Sequence, residues 1–175
     1  MDKFLVIGDL HAHIKELAQI DEWANKRQIK YIFQVGDLGM CWPSEDCKII
    51  RYFNKRARQR RNGATWITCL GNHDNWDKWD RFRKEQNYPD LIEYMPGLYA
   101  TNRPAYLDLF GGMVLCGGAV SSDAGHRIEG ADWWRQEAPS QAELQQFMDL
   151  IEEKKPRYVI THDGPEFAHE ARGGD

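Results

Sequence analysis

Four short stretches of this 175-residue chain carry side chains suited to holding divalent cations: GDLH at 8–11, GDL at 36–38, GNHD at 71–74 and HD at 162–163. Carboxylates, imidazoles and one amide oxygen together match the donor preference of a pair of hard-to-borderline divalent metals. Taken singly, each stretch has an ordinary structural explanation. An isolated D-x-H is commonly a turn or a helix cap, Asp37 could cap a helix, and Asn72 suits a turn because it tolerates left-handed backbone. Together, four stretches offering D-x-H, D, N-H-D and H in that order are hard to explain by packing.

The elements before these stretches are what must bring them together. KFLVIG (3–8), YIFQVG (31–36) and ATWITCLG (64–71) are apolar runs closing on glycine, and RYVIT (157–161) precedes His162. Each reads as a buried strand. Ile14, Leu17, Ala18 and Ala24 recur at helical spacing and predict a helix over 13–27. Ile49, Ile50, Phe53 and Ala57 predict another, stopped by Gly63. Such alternation implies parallel pairing through right-handed crossovers, with ligands collecting at the carboxyl ends of the strands. Further on, GLYATN (97–102), AYLDLFG (105–111) and MVLCGGAV (113–120) predict an antiparallel meander, and 121–139 a long loop of the kind that is usually functional. Ser140 and Glu143 form a capping box for a helix whose apolar face is Leu144, Phe147, Met148 and Ile151, closed by Pro156.

Composition bounds the reading. Hydrophobic residues at 42% and charged residues at 29% are ordinary for one globular domain, here taken as residues 1–175. The net charge of −4 gives no overall attraction to nucleic acid or anionic membrane. No apolar run is long enough to cross a membrane, and the one at the start is too short for a signal peptide. Cys41, Cys47, Cys69 and Cys116 form no C-x-x-C pair, so a zinc knuckle or disulfide scaffold is disfavoured and a cytoplasmic location is expected.

The ordered set of motifs resembles the calcineurin-like metallophosphoesterases, whose pattern runs GDxHG, GDxxD or a shorter variant, GNHD/E, a strand-end His, and GHxH. The resemblance spans Asp9 to His162. It implies an α/β sandwich of two mixed sheets flanked by helices (α-β-β-α) and two bound divalent ions, Mn²⁺ ahead of Fe, Zn²⁺, Ni²⁺ or Mg²⁺. Asp9 and His11 would hold one ion, Asn72 and His162 the other, and Asp37 would bridge them. His73 would face the scissile phosphate, with Asp74 holding its imidazole. The implied activity is hydrolysis of a phosphomonoester or phosphodiester by a metal-bridging hydroxide, the imidazole assisting the leaving group.

Several positions depart from the family pattern. Ala12 stands where glycine is preferred, a change expected to cost little, and His13 reads as a helix-start residue rather than a ligand. The second motif, GDLGMCWP, lacks its second acid. No GHxH follows His162, and His169 lies too close to it, beyond Gly164-Pro165, to substitute. The expectation is therefore a C-terminally truncated domain: part of a longer protein, or a natural truncation with an open, weakly occupied site.

The loop GGAVSSDAGHRIEGADWWRQE (117–137) also resembles a pattern of a bacterial and phage-associated branch, GGA-x-S-x-D…R…WW-x-x-E. Two roles stand side by side. Trp133 and Trp134 could anchor the loop by burying aromatic area, or Arg127 or His126 could reach substrate phosphate. The basic run at 54–61 reads first as a solvated helix end and second as a contact for nucleic acid. Two further readings of the whole chain remain: a binding scaffold on the same fold, and an inactive truncated remnant.

Overall fold

The structure, a computed structural model, describes residues 3–42, 46–59 and 63–164. His169, and Arg60 and Arg61 of the basic run, lie outside these residues. Strands β1 (Phe4–Ile7), β2 (Tyr31–Gln34) and β3 (Thr65–Thr68) alternate with helices α1 (Ile14–Lys26) and α2 (Asp46–Arg58). Helix α3 (Trp76–Glu85) leads to the pair β4 (Leu91–Met95) and β5 (Leu98–Thr101). A second pair, β6 (Ala105–Leu107) and β7 (Met113–Cys116), is followed by the long loop, α4 (Gln141–Lys154) and β8 (Tyr158–Thr161).

The strands divide into two mixed sheets. In the larger, ordered β1-β2-β3-β5-β4, the first four strands are parallel and β4 runs antiparallel at the edge. In the smaller, ordered β6-β7-β8, the central β7 pairs antiparallel with β6 and parallel with β8. Side-chain alternation then builds two cores. Ile32 and Trp66 face a layer that includes Leu17, Ile49, Phe53 and Trp79 of the helices. Phe33 and Ile67, their neighbours in sequence, face the other way and meet Leu107, Met113, Leu115 and Ile160 of the smaller sheet. Helix α4 lies against β7. This is the α-β-β-α sandwich that the motifs implied.

Three local expectations change. The anticipated meander does not form, because β5 belongs to the larger sheet while β6 and β7 belong to the smaller. Turn-sized gaps show that strands follow one another, whereas the layer that takes their apolar side chains decides the pairing. Leu98 and Ala100 pack with the helix layer, but Leu107, Met113 and Leu115 pack between the sheets. Helix α3 and strand β4 were not anticipated. In α3 only Trp76 and Trp79 are buried within a charged sequence, and its start is fixed by Asn75, whose side chain accepts from Lys78 N at 2.9 Å. The face expected to bury α4 stays largely in solvent: Leu144 and Met148 are exposed, and the helix is held by its capping box and by Arg103.

A buried ion pair joins α1, α2 and β3. Asp21 accepts from Arg56 Nε at 2.7 Å, Tyr52 Oη at 3.1 Å and Trp66 Nε1 at 3.2 Å, while Arg56 also donates to the Ala64 carbonyl. Each charge therefore has its partners, as burial requires.

Candidate metal centre

The turns after β1 and β2 aim their side chains through strained backbone. Asp9 (φ 27°), His11 (φ 43°) and Asp37 (φ 56°) are all left-handed, a conformation that costs roughly 1–3 kcal/mol per residue and gathers at functional sites. Ala12 shares it (φ 54°), so alanine in place of the family's glycine carries strain of about 1–2 kcal/mol rather than little. Main-chain bonds lace the two turns together, His11 N to Asp37 O at 2.8 Å and Ala12 N to Leu38 O at 2.9 Å. Two glycines are required by close approach. A Cβ on Gly36 would fall on the His162 ring, and one on Gly71 would fall on the Asp37 carboxylate. Beneath Gly36, the buried Gln34 amide accepts from Gly36 N and Thr68 Oγ1 and donates back to the Gly36 carbonyl.

Asp9, Asp37 and His162 each place a ligand atom within 4.8 Å of the others. Asp37 is buried. Its Oδ1 accepts from His73 N at 2.9 Å, while Oδ2 stands 3.9 Å from His11 Nε2 and 3.8 Å from His162 Nε2. His162 Nδ1 meets the Val35 carbonyl at 2.7 Å, and because a carbonyl only accepts, Nδ1 carries the proton. Its Nε2 then faces Asn72 Oδ1 at 2.9 Å, and the Asn72 amide is turned that way by donating to Ser121 Oγ at 2.8 Å. In the neutral ring, the form that ligates metals, Nε2 is an acceptor, so two acceptor atoms face each other beside a carboxylate. A cation between them resolves the repulsion, and the N and O donors suit a borderline divalent metal. The residues present fit the group.

A second layer holds this half of the site. Ser121 N donates to Glu137 Oε1 at 2.8 Å, and Glu137 is buried. Arg103 buckles the end of the loop to two helices. It donates to the carbonyls of Glu137 (2.8 Å) and Gln136 (2.7 Å), forks onto both Glu143 oxygens (3.1 and 3.0 Å), and stacks 4.0 Å from the Trp76 ring centre. Trp76 Nε1 in turn donates to the Gly71 carbonyl at 3.0 Å. Burial raises the Glu143 pKa, but hydrogen bonds from Arg103 and Ser140 outweigh it and leave the carboxyl below its ordinary value. Sequence reasoning gave Ser121, Glu137 and Arg103 no role. The first two were visible as the S and final E of the loop pattern, whereas nothing marked Arg103.

His73 and Asp74 are arranged differently from expectation. His73 Nε2 lies 2.9 Å from Arg127 Nη2, which can only donate, so Nε2 accepts and the ring is neutral. Burial lowers the His73 pKa, and Arg127 and His11 add to this against the pull of Asp37. No hydrogen bond joins Asp74 to His73 among the described residues. Asp74 instead folds back to accept from Gly71 N at 2.8 Å, fixing the GNHD turn. Burial, then the Asp37 charge, push its carboxyl well above the ordinary range, and the main-chain amides of Gly71 and Asp37 offset only part of this. The Trp42 ring packs against both His11 (5.3 Å) and His73 (5.9 Å).

Within the long loop the two candidate phosphate contacts separate. Arg127 reaches His73, pairs with Asp123 at 2.8 Å, and keeps a buried Nη1 without a hydrogen-bond partner. His126 is exposed, with no bond to the site among the described residues. Of the two tryptophans, Trp134 is the buried anchor and Trp133 is half-buried. His13 stands at the N-cap of α1, 3.5 Å from Glu16 and away from the cluster.

A family model described as calcineurin-like phosphoesterase matches residues 2–175. Among solved structures, TT1561 of Thermus thermophilus superposes with a TM-score of 0.57 at 15% identity, over 97% of this chain and 76% of that one. A second solved structure gives 0.54 at 16% identity, over 91% and 67%. At these identities the likeness speaks for the fold alone. No curated protein matches the sequence.

Proposed function

We propose that this chain, which belongs to the calcineurin-like phosphoesterase family, is a two-metal hydrolase of phosphoesters built on the cluster around Asp37. The observation that carries the reading is the pair of acceptors, His162 Nε2 and Asn72 Oδ1, facing each other at 2.9 Å beside the Asp37 carboxylate. Asp9 and His11 would hold one divalent ion, Asn72 and His162 the other, and Asp37 would be shared. The mixed O and N donors favour Mn²⁺, Fe or Zn²⁺ over Ca²⁺. When bound, such a pair supplies charge neutralisation at phosphorus and activation of water.

The remaining work falls to the chain. Val35 and Ser121 orient His162 and Asn72, and the left-handed turns aim Asp9, His11 and Asp37. Arg127, with its unpartnered Nη1, would take a phosphate oxygen. Its move onto phosphate would free His73 Nε2 to take up a proton from water and pass it to the leaving oxygen. Asp74 would act through the shape of the GNHD turn. Ligands drawn from Asp9 to His162 support one domain, and two buried free thiols, Cys69 and Cys116, support a reducing compartment such as the cytoplasm. Among the described residues no helix is long and apolar enough to cross a membrane.

The test is hydrolysis of an aryl phosphate and its bis-aryl diester, before and after chelation and upon return of Mn²⁺, Mg²⁺, Zn²⁺ or Ni²⁺. Turnover should vanish with the metals and return with one of them. Activity that survives complete metal removal would overturn the mechanism, and the preferred ester separates a phosphatase from a phosphodiesterase.

A further inference from the structure

The outer face of α2 takes no part in the centre described above. This helix carries five cations, Lys48, Arg51, Lys55, Arg56 and Arg58, against one acid, Asp46, in a protein of net charge −4. Arg56 is buried and committed to Asp21 and the Ala64 carbonyl. The other four are exposed and follow one another at steps of three, four and three residues. They form a single row with intervals of about 5 Å along the helix axis. Arg51, Lys55 and Arg58 have no acidic partner among the described residues. The helix dipole favours cations in the last turn, which covers Lys55 and Arg58 but not Lys48 and Arg51.

Beside the row runs a groove of about 460 Å³ between α1 and α2. Ile14, Ala18 and Tyr52 give it apolar walls, while Arg51 and Lys55 stand on its rim. An adjoining hollow of about 410 Å³ shares Arg51, Lys55 and Gln59 and adds Asn54 and Arg58. Asp21 and Arg56 also line the groove but satisfy each other, so the charge offered to a ligand is positive. Evenly spaced cations along an apolar trough complement regularly spaced anions joined to flat apolar groups. Single-stranded nucleic acid has that chemistry. An acidic peptide matches the charge, but its carboxylates sit on flexible side chains that need no such row.

We propose that this face of α2, with the α1–α2 groove, binds single-stranded nucleic acid through its phosphates and without sequence preference. Three phosphates meet Arg51, Lys55 and Arg58, and a base lies against the Tyr52 side of the groove. The binding requires no metal and no hydrolysis, so it stands or falls apart from the catalytic reading.

The experiment is fluorescence anisotropy of a labelled fifteen-nucleotide thymidine strand with the full chain in chelator, across a salt series. Micromolar binding at low salt is expected, with log K falling against log salt at a slope of about −2, as three single-strand phosphate contacts give. The variant Arg51→Gln/Lys55→Gln/Arg58→Gln, checked by an unchanged thermal melt, should bind at least ~10-fold more weakly with a slope near zero. Individual Gln substitutions, each lowering the slope by about 0.7, serve if the triple variant fails to fold. Three results would overturn the proposal: no binding at low salt, variants that bind as tightly as the parent, or displacement of the strand by polyglutamate at equal charge, which would make the face an acidic-peptide site.

Discussion

His162 and Asn72 occupy a walled half of the centre, and Asp9 and His11 an open one. The His162 side chain is 8% exposed and pinned to Val35, while Asn72 is held by Ser121, then Glu137, then Arg103. Across Asp37 the supports are sparse. Asp9 is exposed with no side-chain hydrogen bond among the described residues, and among the same residues the His11 side chain, 37% exposed, has the rings of Trp42 and His73 and a carboxylate 3.9 Å away as its contacts. One half is oriented by a hydrogen-bonded second layer of side chains and the other by left-handed turns laced through main-chain bonds. Since second-layer partners commonly change metal affinity by about 10–100-fold, the two proposed ion positions should differ in strength.

Among side chains that would hold no ion, the largest effect should come from His73, whose main-chain amide donates to Asp37. His73→Ala is expected to lower turnover ~10²–10⁴-fold while both ions stay bound, measured as kcat alongside metal content. Loss of the metals would make His73 a ligand and redraw the boundary between the halves. Next, Arg103→Ala leaves the Glu137 and Gln136 carbonyls without their donor and Glu143 without its partner, with an expected stability loss of about 2–4 kcal/mol, mostly from the two carbonyls. Urea unfolding reads this directly, and an effect below about 1 kcal/mol would mean that the walled half does not depend on its buckle.

Ser121→Ala should act more narrowly. It frees the Asn72 amide and should weaken the tighter ion ~10–100-fold, leaving the weaker one unchanged. Equal weakening of both ions would erase the asymmetry. The smallest effect concerns pH. The folded Glu143 pKa lies below its ordinary value of about 4.3, so its contribution is fully present above pH ~4.3 and is lost as pH falls through the lower folded value. Because the pair is partly solvent-screened, this contribution should be on the order of 1 kcal/mol or less. The acid-side drop in melting temperature should be shallower in Glu143→Gln.

The same contrast separates what was legible in the sequence from what was not. Asp9, Asp37, Asn72 and His162 follow apolar runs at strand ends, so the topology that places them could be read from local pattern. The layers of the sandwich followed from those runs and the resemblance. The pairing of β5, β6 and β7 did not, because sheet membership depends on which core receives Leu98 or Leu115, a distant contact. Helix α3 was hidden because two buried tryptophans in a charged segment make no apolar stripe. The contacts around His73 were not legible for a similar reason: Asp74 is adjacent in sequence, but its carboxylate accepts from Gly71 N, while Nε2 is met by Arg127, 54 residues away.

The most direct measurement is the Mn²⁺ content and affinity of the parent and of Asp37→Asn, by equilibrium dialysis followed by metal analysis. The parent should bind two ions per chain, one tightly and one more weakly, and Asp37→Asn should lose both, because this carboxylate is shared. A parent that binds no ion, or an Asp37→Asn variant that keeps two ions at parental affinity, would contradict a two-metal centre built around Asp37.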